Sequence, residues 1–202
     1  MSPEELKILM EKDIVRQVSS DIVGNYVVYA HRGGFFLNSY GHQYAQRRQP
    51  SKRSCIKYGQ LNTYIYIYVG RRNYSCSQLM LATFVRKLKK EEYADHINGD
   101  TTDNRIENLR IVDRPTNDRD GGFLRKLRYK GIDPTMFSTP FLLRYFERMA
   151  EFKRTHTATE YKNLSRDELL SMLVSPEFVV QDLDRQYEEE LSNPIQFHLH
   201  ND

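Results

Sequence analysis

Tryptophan is missing from the 202 residues, and cysteine occurs only twice, at Cys55 and Cys76. Two cysteines cannot build the disulfide framework of a small secreted domain, and no CxxC pair is present to hold zinc. A reducing compartment is therefore the simplest expectation. Long apolar runs are missing as well; none approaches the roughly 18 residues that a membrane helix requires. The opening stretch, MSPEELKILMEKDIVRQV, is charged throughout and does not read as a secretory signal. Internal repeats and low-complexity tracts are also lacking. These absences argue against a disulfide scaffold, a membrane protein and a solenoid, and lead to the expectation of a soluble cytoplasmic protein with no membrane partner.

What is present can build a core. Hydrophobic residues make up 39% of the chain, with 14 tyrosines and 10 phenylalanines, which excludes a disordered composition. The length suits one ordinary domain or two small ones. The net charge of +3 conceals an uneven distribution. From Glu151 to Asp202 there are 11 acids against 5 Lys and Arg, a balance of −6, so the first 150 residues carry +9. Between Gln46 and Tyr129 there are 18 Lys and Arg against 9 acids. A basic body of this kind suits a polyanionic partner, because cations near phosphates release counterions. A solvated charged face is the alternative.

Apolar spacing at Leu6, Leu9, Met10, Ile14 and Val15 predicts a helix over 3–19, with Pro3 near its start. Residues 25–37, rich in Tyr, Val and Phe around Gly33-Gly34, predict a β-hairpin. The basic, polar stretch 42–60 reads as a loop or arm. The run Tyr64 to Val69, within TYIYIYV, is an almost pure strand former. Its Tyr64, Tyr66 and Tyr68 alternate onto one face, either half-buried or able to stack on bases. SCSQLMLATFVRKL predicts a helix that packs through Leu79, Leu81, Phe84, Val85 and Leu88. After Gly121-Gly122 the character changes. Helices are expected over 140–154, over 165–174 (Ser165 and Glu168 form a capping box) and over 177–191.

The segment YADHINGDTTDNRIENLRIVDRPTND, residues 93–118, carries the chemistry. Asp95-His96 ends one short strand, and Asn98-Gly99-Asp100 has strong turn character. Asn104 is suited to capping the next turn. Asn108-Leu109 leads into a second strand, and Pro115 opens a helix that carries Asn117. Two strands and a helix can aim one side chain each at a single spot. Phosphodiester hydrolysis needs a water, a base and a cation on the phosphate. His96 titrates in the right range for the base, and Asp and Asn offer hard oxygens suited to Mg²⁺ or Mn²⁺. A calcium loop built on Asp95, Asn98, Asp100 and Asp103 would lack the helix–loop–helix frame and the glutamate at position 12.

The string Asp95, His96, Asn98, Gly99, Asp100, Asn104, Asn108, Leu109 and Asn117 resembles the HNH, or ββα-metal, endonucleases, in particular the phage and mobile-element homing-type subset. The resemblance implies an α+β fold. It comprises a small β-rich DNA-contacting module (1–60), a ββα-metal nuclease core (61–122) and a helical acidic C-terminal region (123–202). It implies His96 as general base, with Asn108 holding the loop and orienting the histidine. Asp95 and Asn117 are implied as ligands of one Mg²⁺ or Mn²⁺ ion, with Asn98, Gly99, Asp100 and Asn104 as structural parts of the motif. The implied partner is double-stranded DNA, in a bacterial or phage-infected cell. FFLNSYGHQYAQRR (35–48) is loosely similar to modules that precede such nuclease domains.

Candidate phosphate contacts are the clusters Arg47, Arg48, Lys52 and Arg53, then Arg86, Lys87, Lys89 and Lys90, and within the motif Arg105, Arg110, Arg114 and Arg119. His31 and His42 read as packing or surface histidines, and His198 and His200 as part of a frayed tail. Two other functions stay open: a DNA-binding module that no longer cuts, and a phage packaging factor. The acidic C-terminal region would then serve a homodimer or a partner protein.

Overall fold

The structure, a computed structural model, describes residues 1–50 and 63–174. It divides into two units, Met1–Leu143 and Arg144–Asp202. The first is mixed α and β. Helix α1 (Pro3–Glu11) starts at a capping box between Ser2 and Glu5 and ends well before the 19 expected. Asp13 adopts a left-handed conformation, φ 57°, which an aspartate tolerates better than most side chains. The chain turns there, so Ile14 and Val15, whose spacing mimics a helix, leave it: Ile14 leads into strand β1 (Val15–Gln17), which Val15 opens. A single turn, α2 (Ser20–Val23), follows. Strands β2 (Val28–His31) and β3 (Phe35–Asn38) form the expected hairpin and add to β1 in an antiparallel sheet.

The second sheet is β4 (Arg47–Pro50), β5 (Thr63–Val69) and β6 (Arg72–Ser75), in that order. The stretch read as a loop or arm thus contributes a strand, with Arg47 opposite Tyr66. This sheet also spans the boundary expected at residue 60. Ile65, Ile67 and Val69 are buried, which turns the alternating tyrosines to the other face.

Helix α3 (Cys76–Phe84) packs against strands of both sheets and of the third one below. Cys76, Leu79, Met80 and Leu81 are all buried. Each leucine so buried contributes about 1.5–3 kcal/mol. The helix stops at Phe84, where Val85 and Arg86 both donate to the Leu81 carbonyl. Val85, expected to pack, is 62% exposed.

Strands β7 (Glu92–His96) and β8 (Leu109–Asp113) pair antiparallel, and helix α4 (Arg114–Tyr129) follows without a break. Asp113 caps α4 by accepting from the Thr116 amide, and Pro115 occupies its first turn. The boundary is expected near Gly121–Ile132; Gly121 and Gly122, at the start of that range, lie inside α4, which ends at Tyr129. Two helical glycines cost about 1 kcal/mol each, but Phe123, Leu124 and Leu127 are buried directly after them and hold the helix together.

Helix α5 (Thr139–Thr155) contains the division between the units. The second unit continues with α6 (Ala158–Asn163) and α7 (Arg166–Leu173), each opened by a capping box, at Thr157 with Glu160 and at Ser165 with Glu168. Its core includes Tyr145, Met149, Leu164, Leu169 and Leu173. Arg148 Nη1 donates to the Met172 carbonyl at 3.0 Å. The expected helix over 177–191, and Lys52, Arg53, Cys55, His198 and His200, lie outside the described residues. No helix among the described residues is long and apolar enough to cross a membrane.

Candidate active site

Strand register decides where Asp95 and His96 point. Asp95 lies opposite Arg110, and His96 lies opposite Leu109. Residues paired across an antiparallel ladder share a face, and neighbours in sequence alternate. His96 therefore sits with Leu109 on the side packed against α3, while Asp95 and Arg110 lie on the opposite side, toward α4.

His96 is buried, 4% exposed. Its Nε2 lies 3.3 Å from Asn104 Oδ1. Asn104 Nδ2 donates to the Thr102 carbonyl at 3.2 Å, which leaves Oδ1 as the acceptor. The neutral ring then carries its proton on Nε2, and Nδ1 keeps the lone pair. Burial pushes the imidazole below its ordinary value, opposed by the Asn104 contact and by Asp95, Asp100 and Asp103. A buried imidazole held neutral is in the form able to accept a proton. Tyr64 sits beside it, with ring centroids 6.2 Å apart.

Asn108 binds the loop and makes no hydrogen bond to the histidine. Its Nδ2 donates to Asn98 Oδ1 at 3.0 Å and to the Asp103 carbonyl at 2.9 Å, and its Oδ1 accepts from the Asn98 amide at 3.0 Å. Asn98 Oδ1 also accepts from the Asp100 amide, and Asp100 Oδ1 accepts from the amide and hydroxyl of Thr102. The expected division of labour is thereby shifted. Asn108 closes the loop, and Asn104 is the residue that meets His96.

Gly99 has φ 70°, a conformation that favours glycine. A Cβ there would stand 2.7 Å from Arg128 Nη2 and 2.9 Å from Leu124 Cδ1. Arg128 donates to the Gly99 carbonyl at 3.1 Å, tying α4 to the loop.

Asp95 Oδ2 accepts from Arg110 Nε at 2.8 Å, while Arg110 Nη2 reaches Asp120 Oδ2 at 2.7 Å. Asp120 is 1% exposed and also accepts from Arg119 Nε at 2.7 Å. Arg110 and Arg119, expected as phosphate contacts, are thus engaged with carboxylates. Asp95 Oδ1 accepts no hydrogen bond among the described residues. Asn117, half-buried, lies one turn before Asp120 on the same side of α4. Asp95, Arg110, Asp120 and Asn117 thus belong to one side of the strand pair and its helix.

The other candidate cations differ in their engagements. Arg47 is exposed, with its guanidinium 5.0 Å from the Tyr68 ring centroid, and Arg48 is exposed beside it. Arg86 is bidentate on Glu92, at 2.6 and 2.8 Å, and Lys87 pairs with Asp21. Arg105 pairs with Asp103 at 2.7 Å and Arg114 with Asp118 at 3.5 Å. Lys89 and Lys90 are exposed with no ion pair among the described residues. An exposed pair such as that of Arg114 is worth little and exchanges readily for phosphate.

Sequence reasoning missed Asp120, Arg128 and the Asn104–His96 contact. Asp120 carried a usable signal in its spacing of three from Asn117. Arg128 carried none, since its contact depends on where α4 lands.

Residues 87–119 match the HNH endonuclease family. This segment, similar to the HNH endonucleases, holds β7, the loop, β8 and the first turns of α4. The match points to a nuclease-like or DNA-binding function. No curated protein and no solved structure matches the chain.

Proposed function

We propose that the protein is a metal-dependent DNA endonuclease in which His96 is the general base. The observation that carries this reading is the buried, neutral His96 with its Nε2–H directed at Asn104 and its Nδ1 lone pair available. In the reaction His96 Nδ1 takes a proton from water, and the water oxygen forms a bond to phosphorus. The bond from phosphorus to the leaving ester oxygen breaks, and that oxygen is protonated from solvent.

Asp95 and Asn117 would hold the divalent ion. Their oxygens are hard donors, which suits Mg²⁺ or Mn²⁺. No group of three or more His, Cys, Asp or Glu side chains among the described residues is arranged to hold a metal ion. Two protein oxygens fit an ion that keeps most of its water, as magnesium does. When bound, the ion stabilises charge on the scissile phosphate and leaving oxygen. Arg110 occupies only Asp95 Oδ2, so Oδ1 can serve as a ligand. Lys89, Lys90, Arg47, Arg48, Arg105 and Arg114 supply phosphate contacts along double-stranded DNA.

The Arg110–Asp95 pair also favours a second reading, in which the guanidinium stands where an ion would and the protein binds DNA without cutting it. One experiment separates the two. Supercoiled plasmid is incubated with the full chain and Mg²⁺ or Mn²⁺, beside His96→Ala and an EDTA control. Nicking that needs both metal and His96 supports the nuclease. Salt-sensitive binding with no nicking, unaltered in His96→Ala, supports the binding module.

A further inference from the structure

We propose that the β2–β3 hairpin tip, Arg32–Gly34, is a positioning element of the nuclease site, setting the Asn104 side chain that fixes the His96 tautomer. This rests on the reading of His96 as the base, and it gives the N-terminal sheet a role in the chemistry beyond contact with DNA.

The tip and the motif loop meet backbone to backbone. Gly34 has φ 87°, and a Cβ there would lie 2.7 Å from the Asn104 carbonyl carbon, 2.8 Å from the Arg105 nitrogen and 3.0 Å from the Asn104 oxygen. No side chain fits that space, and the obstruction is main chain, which cannot swing aside. The Ile106 amide donates to the Arg32 carbonyl at 3.0 Å, so the loop is bonded to the tip two residues after Asn104. Gln46 Nε2 donates to the Gly34 carbonyl at 3.0 Å and fixes the tip from β4's approach.

Arg32 anchors the same tip more widely. Its Nε donates to the Asp13 carbonyl at 2.8 Å, its Nη2 to Asp13 Oδ2 at 2.8 Å, and its guanidinium lies 5.1 Å from the Phe84 ring centroid. Arg32 Nη1 also stands 3.6 Å from Glu107 in the motif. The backbone of Asn104 is thus set by Gly34 packed against it and by the Ile106–Arg32 bond just after it, and its side-chain amide meets Thr102 and His96. A shift of Asn104 turns the acceptor away from His96 Nε2. The ring then loses its reason to keep the proton there, and Nδ1 is no longer reserved as the base.

The test uses full-length protein labelled with ¹⁵N-histidine, with the His96 resonances assigned by their loss in His96→Asn. Long-range ¹H–¹⁵N correlation at a pH where the ring is neutral distinguishes the two tautomers. Wild type is expected to show His96 with the proton on Nε2. Gly34→Ala is expected to shift His96 toward a mixture with the Nδ1–H form. It should lower plasmid nicking by about 10- to 100-fold, the range for small misplacements of a reacting group. DNA binding should stay at the wild-type level. Gly24→Ala is the control, since Gly24 shares the left-handed backbone, φ 67°, but has nothing within 4 Å of an added Cβ. It should leave the His96 pattern unchanged.

An unaltered His96 tautomer in folded Gly34→Ala, or an equal change in Gly24→Ala, overturns the proposal. If circular dichroism shows that Gly34→Ala does not fold, Gln46→Ala carries the test, and an unchanged His96 pattern there overturns it. Absence of nicking by wild type would refute the nuclease reading by itself, and the tautomer comparison would still decide whether the tip sets Asn104. In an Asn104→Ala background, Gly34→Ala should cause no further loss of nicking; an additive loss would also overturn the proposal.

Discussion

Replacing Asp120 with alanine tests how the α4 side of the site is held. Asp120 is 1% exposed and accepts from Arg110 and Arg119, each at 2.7 Å. Removing one partner of a buried ion pair costs about 3–5 kcal/mol, because the other charge is left unpaired. Two features of this site place the expected cost near the lower end. Arg110 keeps Asp95 as a second carboxylate, and the Arg119 side chain, 43% exposed, can turn to water. A loss of about 3 kcal/mol follows, and at roughly 2–4 °C per kcal/mol for a chain of this size the melting temperature falls by about 6–12 °C. The variant should also need more Mg²⁺ for half-maximal nicking, because Arg110, freed from Asp120, can engage Asp95 more fully. The assays are thermal unfolding by circular dichroism and a metal titration of plasmid nicking. An unchanged melting temperature would refute the bridging role assigned to Asp120. A melting loss with an unchanged metal requirement would refute the link between Arg110 and the ion site.

Three further outcomes follow from the geometry. Burial lowers the His96 value, so the neutral form is favoured in the folded state: its contribution to stability is complete above the ordinary value of 6.5 and is lost as pH falls through the lower folded value. The acid limb of nicking should accordingly have its midpoint below 6.5, and a midpoint above it in a rate–pH profile would contradict the burial argument. Gly99→Ala places a methyl group against Arg128 and Leu124 at positive φ, and should cost about 1–3 kcal/mol in denaturant unfolding; a neutral effect would mean that α4 does not press on the loop. Burial pushes the Cys76 thiol up to about 12, so in a Cys55→Ser variant a thiol reagent at pH 8 should label the protein only after denaturation, as mass spectrometry would show.

The parts of the fold that were legible from sequence are those specified by local chemistry. The β2–β3 hairpin, β5, α5 and the Ser165–Glu168 cap followed from turn residues, alternation and capping, all of which act within a few positions. The motif residues were legible because their spacing is rigid. What escaped depended on tertiary contact. The helix expected through Ile14 ended at Asp13, whose left-handed turn has no periodic signature. β4 was hidden in a basic, polar stretch because its partner, β5, supplies the apolar face. Asn104 was read as a turn cap because its neighbour, His96, is eight residues away, at the end of β7. Arg110 looked like any other cation within a basic motif until the register placed it opposite Asp95.

Helix α3, which packs against strands of all three sheets, has a consequence for modularity. The family segment ends at residue 119, but Ile106 and Leu109 within it share one core with Val28, Phe36, Ile67 and Met80 from far upstream. Cut out as a cassette, residues 87–119 would expose that apolar surface to water and would also lose the later turns of α4 that bury Leu124 and Leu127. Recombination that swaps the motif between proteins would therefore have to carry α3 and the hairpin sheet with it. The short signature is thus only part of the packing unit it belongs to, whose core reaches back to Val18 and Val28.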